Sequence, residues 1–464
     1  TATNSLNTAV GYEAGLSVTT GVQNTLIGGQ AGDALTTGNN NVSLGYSSLT
    51  ANTKSHNNIA IGVFALNSFN ITTSTDGYNV AIGSVAGEAV TTGISNTLIG
   101  GQSGDALTDA DDNVAVGRLA LSTDTLGSKS TAVGRGALKT QNFTTATDSN
   151  NTAVGYSAGE AVTTGTDNTL IGTLCGDAIT DGNTNTAVGS FALTTNQRGD
   201  RNTAIGHEAL KTLNPSGDAD TYNTAVGYQS GKAVTTATEN TLIGGLAGDA
   251  LTTGASNTAV GYRSLSASNT AAGNTAIGGN AMLSDTKGAR NVAVGYGTLF
   301  SQNLTTATNS YNVAVGYDTG TAITTGVENT LIGALAGDAL TDADYNVAIG
   351  TAALTQDTLG SRSVAIGQEA LSTQNFTTAT DAYNTAVGFT AGKLITTGQN
   401  NTLVGGLAGD GLNTGEGNIA IGKGALSADT KGNVAVAIGT NALAIQNFTT
   451  AASNYNVAVG YQTG

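Results

Sequence analysis

One short pattern of polar and apolar positions returns throughout the chain. It reads Asn7-Thr8-Ala9-Val10-Gly11, then Asn24-Thr25-Leu26-Ile27-Gly28, Asn41-Val42-Ser43-Leu44-Gly45, Asn58-Ile59-Ala60-Ile61-Gly62, and so on to Asn456-Val457-Ala458-Val459-Gly460. Three residues before the glycine stands Thr, Val or Ile, and one before it Val, Ile or Leu. A small residue or Leu lies between. Alternation in a β-branched run bounded by Asn and Gly predicts a strand of about five residues. Asn and Gly both tolerate positive φ and can turn the chain at either end. The residue before each glycine, for example Ile99, Val154 and Ile332, is expected inside. On that register an Ile99→Asp substitution would bury an unpaired charge.

The glycine recurs 26 times, at intervals of 17 or 21 residues. Three short steps and one long step make a block of 72 residues, opened by Gly11, Gly83, Gly155 and Gly227, and later by Gly316, Gly388 and Gly460. Between Gly227 and Gly316 one further 17-residue unit is inserted without disturbing the frame. A stack tolerates the gain of a whole layer; a closed globular core does not.

A second rule applies after each glycine. Three residues on is a small side chain, and four on the series runs Gly15, Gly32, Leu49, Leu66, then Gly87, Gly104, Leu121, Leu138. Across the inserted unit it runs Gly231, Gly248, Leu265, Met282, Leu299. A second short strand is expected around Ala34-Leu35-Thr36 and its equivalents. One such coil cannot bury an apolar face alone, but stacked coils can. The fold class is therefore all-β: a parallel β-roll or solenoid of 26 stacked coils, forming one continuous repeat domain over residues 1–464. The chain reads as a segment of a longer fibre protein. The Leu column needs a surface to bury against, which predicts a homotrimer closed along it.

The six long coils form outer loops. Five contain Asn-x-Thr, at Asn70, Asn142, Asn303, Asn375 and Asn447, with Phe143, Phe376 and Phe448 beside three of them. The sixth has Asn214-Pro215, which blocks a glycosyl acceptor. These loops are the surface candidates for recognition or glycosylation; the alternative is a turn with a clamped aromatic. Tyr78, Tyr222, Tyr311, Tyr383 and Tyr455 close most of them.

The Asn-Thr-Ala-Val-Gly and Asn-Val-Ala-Ile-Gly strings resemble the head repeats of YadA-like trimeric autotransporter adhesins. With the following Tyr they are similar to the shaft repeats of phage fibres. The likeness covers every coil from Asn7 to Gly460. It implies a left-handed β-roll three chains wide that displays or performs adhesion. The adhesin head repeat is usually shorter than the 17 and 21 residues found here. The likeness also implies a structural and adhesive fibre segment at a virion or cell surface, outside the cell. The first choice is a trimeric virion fibre shaft meeting a host cell-surface glycan or protein receptor. The alternatives are a bacterial adhesin head or another extracellular filament, and a monomeric β-solenoid acting on carbohydrate. That last reading needs a carboxylate cluster and long irregular inserts, whereas the inserts here are four residues.

Composition narrows the chemistry. The net charge is −16, with 16 basic residues spread thinly, so no basic stripe points to nucleic acid. No apolar run approaches the roughly 20 residues that span a bilayer, so no membrane insertion is expected within the segment. No enzymatic motif and no cofactor site is expected. Cys175 stands where other coils have Ala or Ser and reads as a buried filler, and Met282 as packing. His56 and His207 read as solvated, with no triad or metal spacing around them. One acid recurs in a fixed place, at Asp33, Asp105, Asp177, Asp249, Asp338 and Asp410. Its weak functional reading is a cation ladder. The bland reading is a turn whose carboxylate accepts backbone N–H groups.

Overall fold

The computed structural model describes residues 4–464. The chain divides into two compact units, Thr1–Thr236 and Ala237–Gly464. Each is a parallel β-solenoid, and no helix occurs among the described residues.

In the first unit each register glycine closes a three-residue strand, such as Val80–Ile82, Thr97–Ile99 and Val114–Val116. Within the unit successive strands pair in parallel, residue for residue: Val80 with Thr97, Ala81 with Leu98, Ile82 with Ile99. The second unit repeats this, from Thr241–Ile243 against Thr258–Val260 to Val436–Ile438 against Val457–Val459. The strands span three residues and not five, although the flanking Asn carbonyl and Gly N–H still bond between coils, as Thr97 N–H to Asn113 and Gly100 N–H to Ile82.

The register glycine is obligatory for a steric reason. Gly83 has φ of 141°, and a Cβ there would lie 2.5 Å from the carbonyl oxygen of Gly100 in the next coil. Only glycine permits both the angle and the approach.

The inward face is the reverse of the one expected. The central strand residue is buried, as in Leu98, Ala153 and Leu331. Ile99 and Val154 are only half-buried, and Ile332 is 38% exposed. With three residues between two turns, the pleat can send only one side chain inward. The coil also points in Ala or Ser three residues past the glycine, the side chain four past it, and an aliphatic residue such as Leu107 or Val162.

The Leu column does not face outward either. Leu49, Leu121, Leu193, Leu265, Met282 and Leu354 are fully buried inside a single chain. They sit at positive φ, 52° for Leu121, a conformation that costs an L-residue about 1–2 kcal/mol. Burial offsets that strain. The glycines of the column have a different cause. A Cβ on Gly87 would lie 2.7 Å from Leu98 Cδ1, and one on Gly104 would lie 2.7 Å from Leu98 Cδ2. A central Leu takes the space left by the glycine of its own coil and of the coil before it, and the two or three coils that follow, with a central Ala or Ser, fill that space with Leu or Met. The expected second strand at Ala34-Leu35-Thr36 is a turn.

A buried asparagine column ties the coils together. Asn79 Oδ1 accepts the backbone N–H of Asn96 at 3.0 Å and its Nδ2 at 3.2 Å, and Asn96 Nδ2 also donates to the Ala110 carbonyl at 2.8 Å. The same links join Asn151, Asn168 and Asn185, and, in the second unit, Asn384, Asn401 and Asn418. Each buried amide is satisfied by the neighbouring coil.

Candidate recognition surface

The long coils are anchored on the coil before them. Asp124, Asp285, Asp357 and Asp429 are fully buried in those preceding coils. Asp357 Oδ1 accepts the N–H groups of Gly360 at 3.0 Å and Phe376 at 3.1 Å, and Oδ2 accepts Gln374 Nε2 at 2.6 Å. Gln374 Nε2 also donates to Ser363 Oγ, and its Oε1 accepts Asn384 Nδ2 at 2.9 Å. Asp124 with Gln141, Asp285 with Gln302 and Asp429 with Gln446 repeat the pair. Burial pushes the carboxyls of Asp285 and Asp357 above the usual range, opposed by these donors.

Two anchors are built differently. Asn52 accepts the Ser55 N–H and donates Nδ2 to the Ser55 carbonyl, and Asn196 does the same with Gly199. Where Gln would stand, Phe69 and Leu213 are buried. The sequence carries this pairing as a covariation at a separation of 17: Asp with Gln, Asn with an apolar residue. Sequence reasoning missed it.

The Asn-x-Thr residues have an internal job. Asn70, Asn142, Asn303, Asn375 and Asn447 each accept through Oδ1 the hydroxyl of a threonine in the preceding coil: Thr53, Thr125, Thr286, Thr358 and Thr430. They end a column of threonine hydroxyls donating to the next coil, as Thr91 to Thr108 and Thr108 to Thr125. Phe143 and Phe376 are buried beneath their loops and Phe448 is half-buried. The loop tips Thr144, Thr145, Thr377 and Thr378 are exposed. Five of the six long coils return as a two-residue parallel strand, for example Thr380–Asp381 against Gly360–Ser361, and the first makes a single bridge between His56 and Asp76.

The recurring acids hold the same place in their coils in both units, half-buried. Asp249 accepts Ser266 and Asp338 accepts Thr355, whereas an oxygen of Asp33, Asp105, Asp177 and Asp410 is buried without a hydrogen-bond partner. The Asp105 carboxyl is pushed up to about 6, chiefly by burial and further by Glu88, while its own backbone N–H pulls it down. Among the described residues no three His, Cys, Asp or Glu side chains gather as a metal site would require.

Cys175 is fully buried, donates to the Ala187 carbonyl, and has its thiol pushed up to about 12 by burial, which makes it inert. His207 is exposed and stacks on Tyr228 with ring centroids 5.7 Å apart. His56 departs from the expected solvated turn: it is half-buried, and its Nδ1 accepts the Asn39 N–H at 2.8 Å. Asn, Asp or Ser does this elsewhere, as Asp111 for Ile94 and Ser128 for Asp111.

Two kinds of surface remain for partners. One is the outward strand face, with Thr, Val or Ile beside Val, Ile or Leu on every coil. The other is the corner just past the register glycine, which carries exposed tyrosines, among them Tyr46, Tyr156, Tyr262, Tyr296 and Tyr317. No protein-family model matches the chain, and no curated protein was found similar to it.

Proposed function

We propose that the chain is a structural and adhesive fibre segment that assembles as a homotrimer, most simply a virion fibre shaft presenting a recognition surface to a host cell-surface glycan or protein. The observation that carries this reading is the outward strand face. Ile171 and Ile205 in the first unit, and Ile277, Ile332 and Ile421 in the second, are 38–39% exposed although they belong to an ordered apolar column. A column of this kind, repeated coil after coil, is larger than a soluble monomer ordinarily leaves in water. Its complement must repeat with the same pitch, and another copy of the chain in register does so. Completing the burial of one such half-exposed side chain is worth about 1 kcal/mol. The contact therefore lies on the β-branched face and not on the Leu column, which the single chain already buries.

Light scattering at low micromolar concentration tests this. The expected mass is three times 45.7 kDa. Lysine at Ile171, Ile205, Ile332 and Ile421 should dissociate the assembly while leaving the circular dichroism of the coil stack unchanged. A stable, folded monomer of the native chain would overturn the reading.

A further inference from the structure

The tyrosines past the register glycines are not evenly spread. Three of them, Tyr262, Tyr296 and Tyr317, stand within four successive coils of the second unit, at 60%, 53% and 57% exposure. Glycines 245 and 279 alternate with the first two. The rings lie across those glycines: a Cβ at Gly245 would come within 3.6 Å of the Tyr262 ring, and one at Gly279 within 3.3 Å of the Tyr296 ring. Each glycine thus leaves room for the ring of the next coil. Tyr317 stacks on Tyr296 at 5.9 Å with the planes 13° apart. The stretch contains the inserted coil, and no other block has two glycine-tyrosine platforms in succession. Tyr46 over Gly29 in the first unit stands singly.

A polar column runs beside the rings. It holds exposed Arg263 and half-buried Asn280 and Asp318. Asn280 Nδ2 reaches the Tyr296 hydroxyl, and Asp318 lies over Gly297, where any side chain would collide with its carboxylate. Flat, rigid tyrosine faces supply amphipathic contact area at low entropic cost. A sugar ring offers the matching pair of features, an apolar C–H face and a rim of hydroxyls. Platforms two coils apart, roughly 10 Å, suit a ligand that also repeats along its length. Arg263 and Asp318 cancel within the strip, and the net charge of −16 disfavours a polyanion.

We propose that Tyr262, Tyr296 and Tyr317, with Arg263, Asn280 and Asp318, form a binding strip for a neutral, linear polysaccharide. This deepens the reading of the chain as a recognition fibre. The test is native affinity electrophoresis of the full chain in gels containing dextran, galactomannan or a soluble β-glucan. The expected result is retardation by at least one of them, weakened at least tenfold in Tyr262→Ala/Tyr296→Ala and unchanged in Tyr383→Ala. Should the double variant lose its fold, Tyr262→Ala alone takes its place and must also weaken retardation. Absence of retardation by all three polymers, or retardation unchanged by the substitutions, would overturn the proposal. So would loss of the trimer mass in the double variant, because the strip would then belong to the contact between copies. A native chain that is monomeric yet retarded would remove the fibre reading and leave the strip standing.

Discussion

The anchor under Phe69 and the anchor under Gln374 hold equivalent loops by different chemistry. At Asn52 the side chain both accepts from and donates to Ser55, so nothing polar is left over and the residue above it can be Phe69, fully buried. Asp357 can only accept. Its Oδ1 takes two backbone N–H groups, and its Oδ2 then requires a donor, which only a long amide from the next coil supplies. One changed atom in the lower coil, nitrogen for oxygen, dictates whether the coil above is apolar or polar. The pair is thus the unit of the design, and each member alone is a liability.

The largest effect should come from emptying the apolar anchor. Phe69→Ala is expected to cost about 3–5 kcal/mol through the cavity it leaves. It should raise amide hydrogen exchange in the coils around residues 52–91 and leave distant coils protected, because stacked coils communicate only with neighbours. Exchange rising equally throughout the chain would show that the coils unfold as one.

A cycle of substitutions at the polar anchor sharpens the comparison. Gln374→Leu strands the buried Asp357 oxygen and is expected to destabilise by about 1–3 kcal/mol, and Asp357→Asn alone removes the acceptor of Gln374. The double variant recreates the chemistry of Asn196 with Leu213. It should recover part of the loss, with a coupling of about 0.5–3 kcal/mol in urea unfolding. Strict additivity would refute the pairing.

The smallest effect is in pH. Asp285, Asp357 and Asp105 have folded pKa values raised by burial above the ordinary value of 3.8. Between the unfolded and folded values the native chain holds more protons, so stability is full below about pH 4 and is lost as pH rises through the folded value. For Asp105 the window closes near pH 6. Asp105→Asn should flatten the unfolding midpoint across pH 4–6. A native profile that instead rises with pH in this window would contradict the sign.

The same chemistry explains how much of the molecule is legible in its sequence. The stack, its parallel register and the inserted coil are legible, since they derive from a fixed period and one glycine. The side of the strand that faces in is not. Ile99 and Leu98 are both apolar, and alternation alone cannot choose between them. The choice depends on Gly87 and Gly104, whose missing side chains make room for Leu98. The Leu column hides its inward direction because Leu121 reaches the core only from a positive φ, which leucine rarely adopts. Asp33 and its equivalents fit a turn by spacing, yet several keep a buried oxygen unpaired, which no spacing rule foretells. The tyrosine strip has a signal in the sequence, a glycine-tyrosine alternation that occurs twice in succession.

The asparagine column has a direction. In each link the earlier coil supplies the acceptor and the later coil the N–H donors, as Asn79 to Asn96 and Asn151 to Asn168. A ribosome delivers the earlier coil first. Each finished coil that carries the asparagine then offers an oxygen aimed at a residue 17 or 21 positions on, and the emerging segment needs only to reach its immediate predecessor. Assembly can proceed as a zipper in the order of synthesis, closing short loops one after another. The polarity of one amide thus gives a repetitive chain, whose coils could pair in many wrong registers, an order in which the right register is met first.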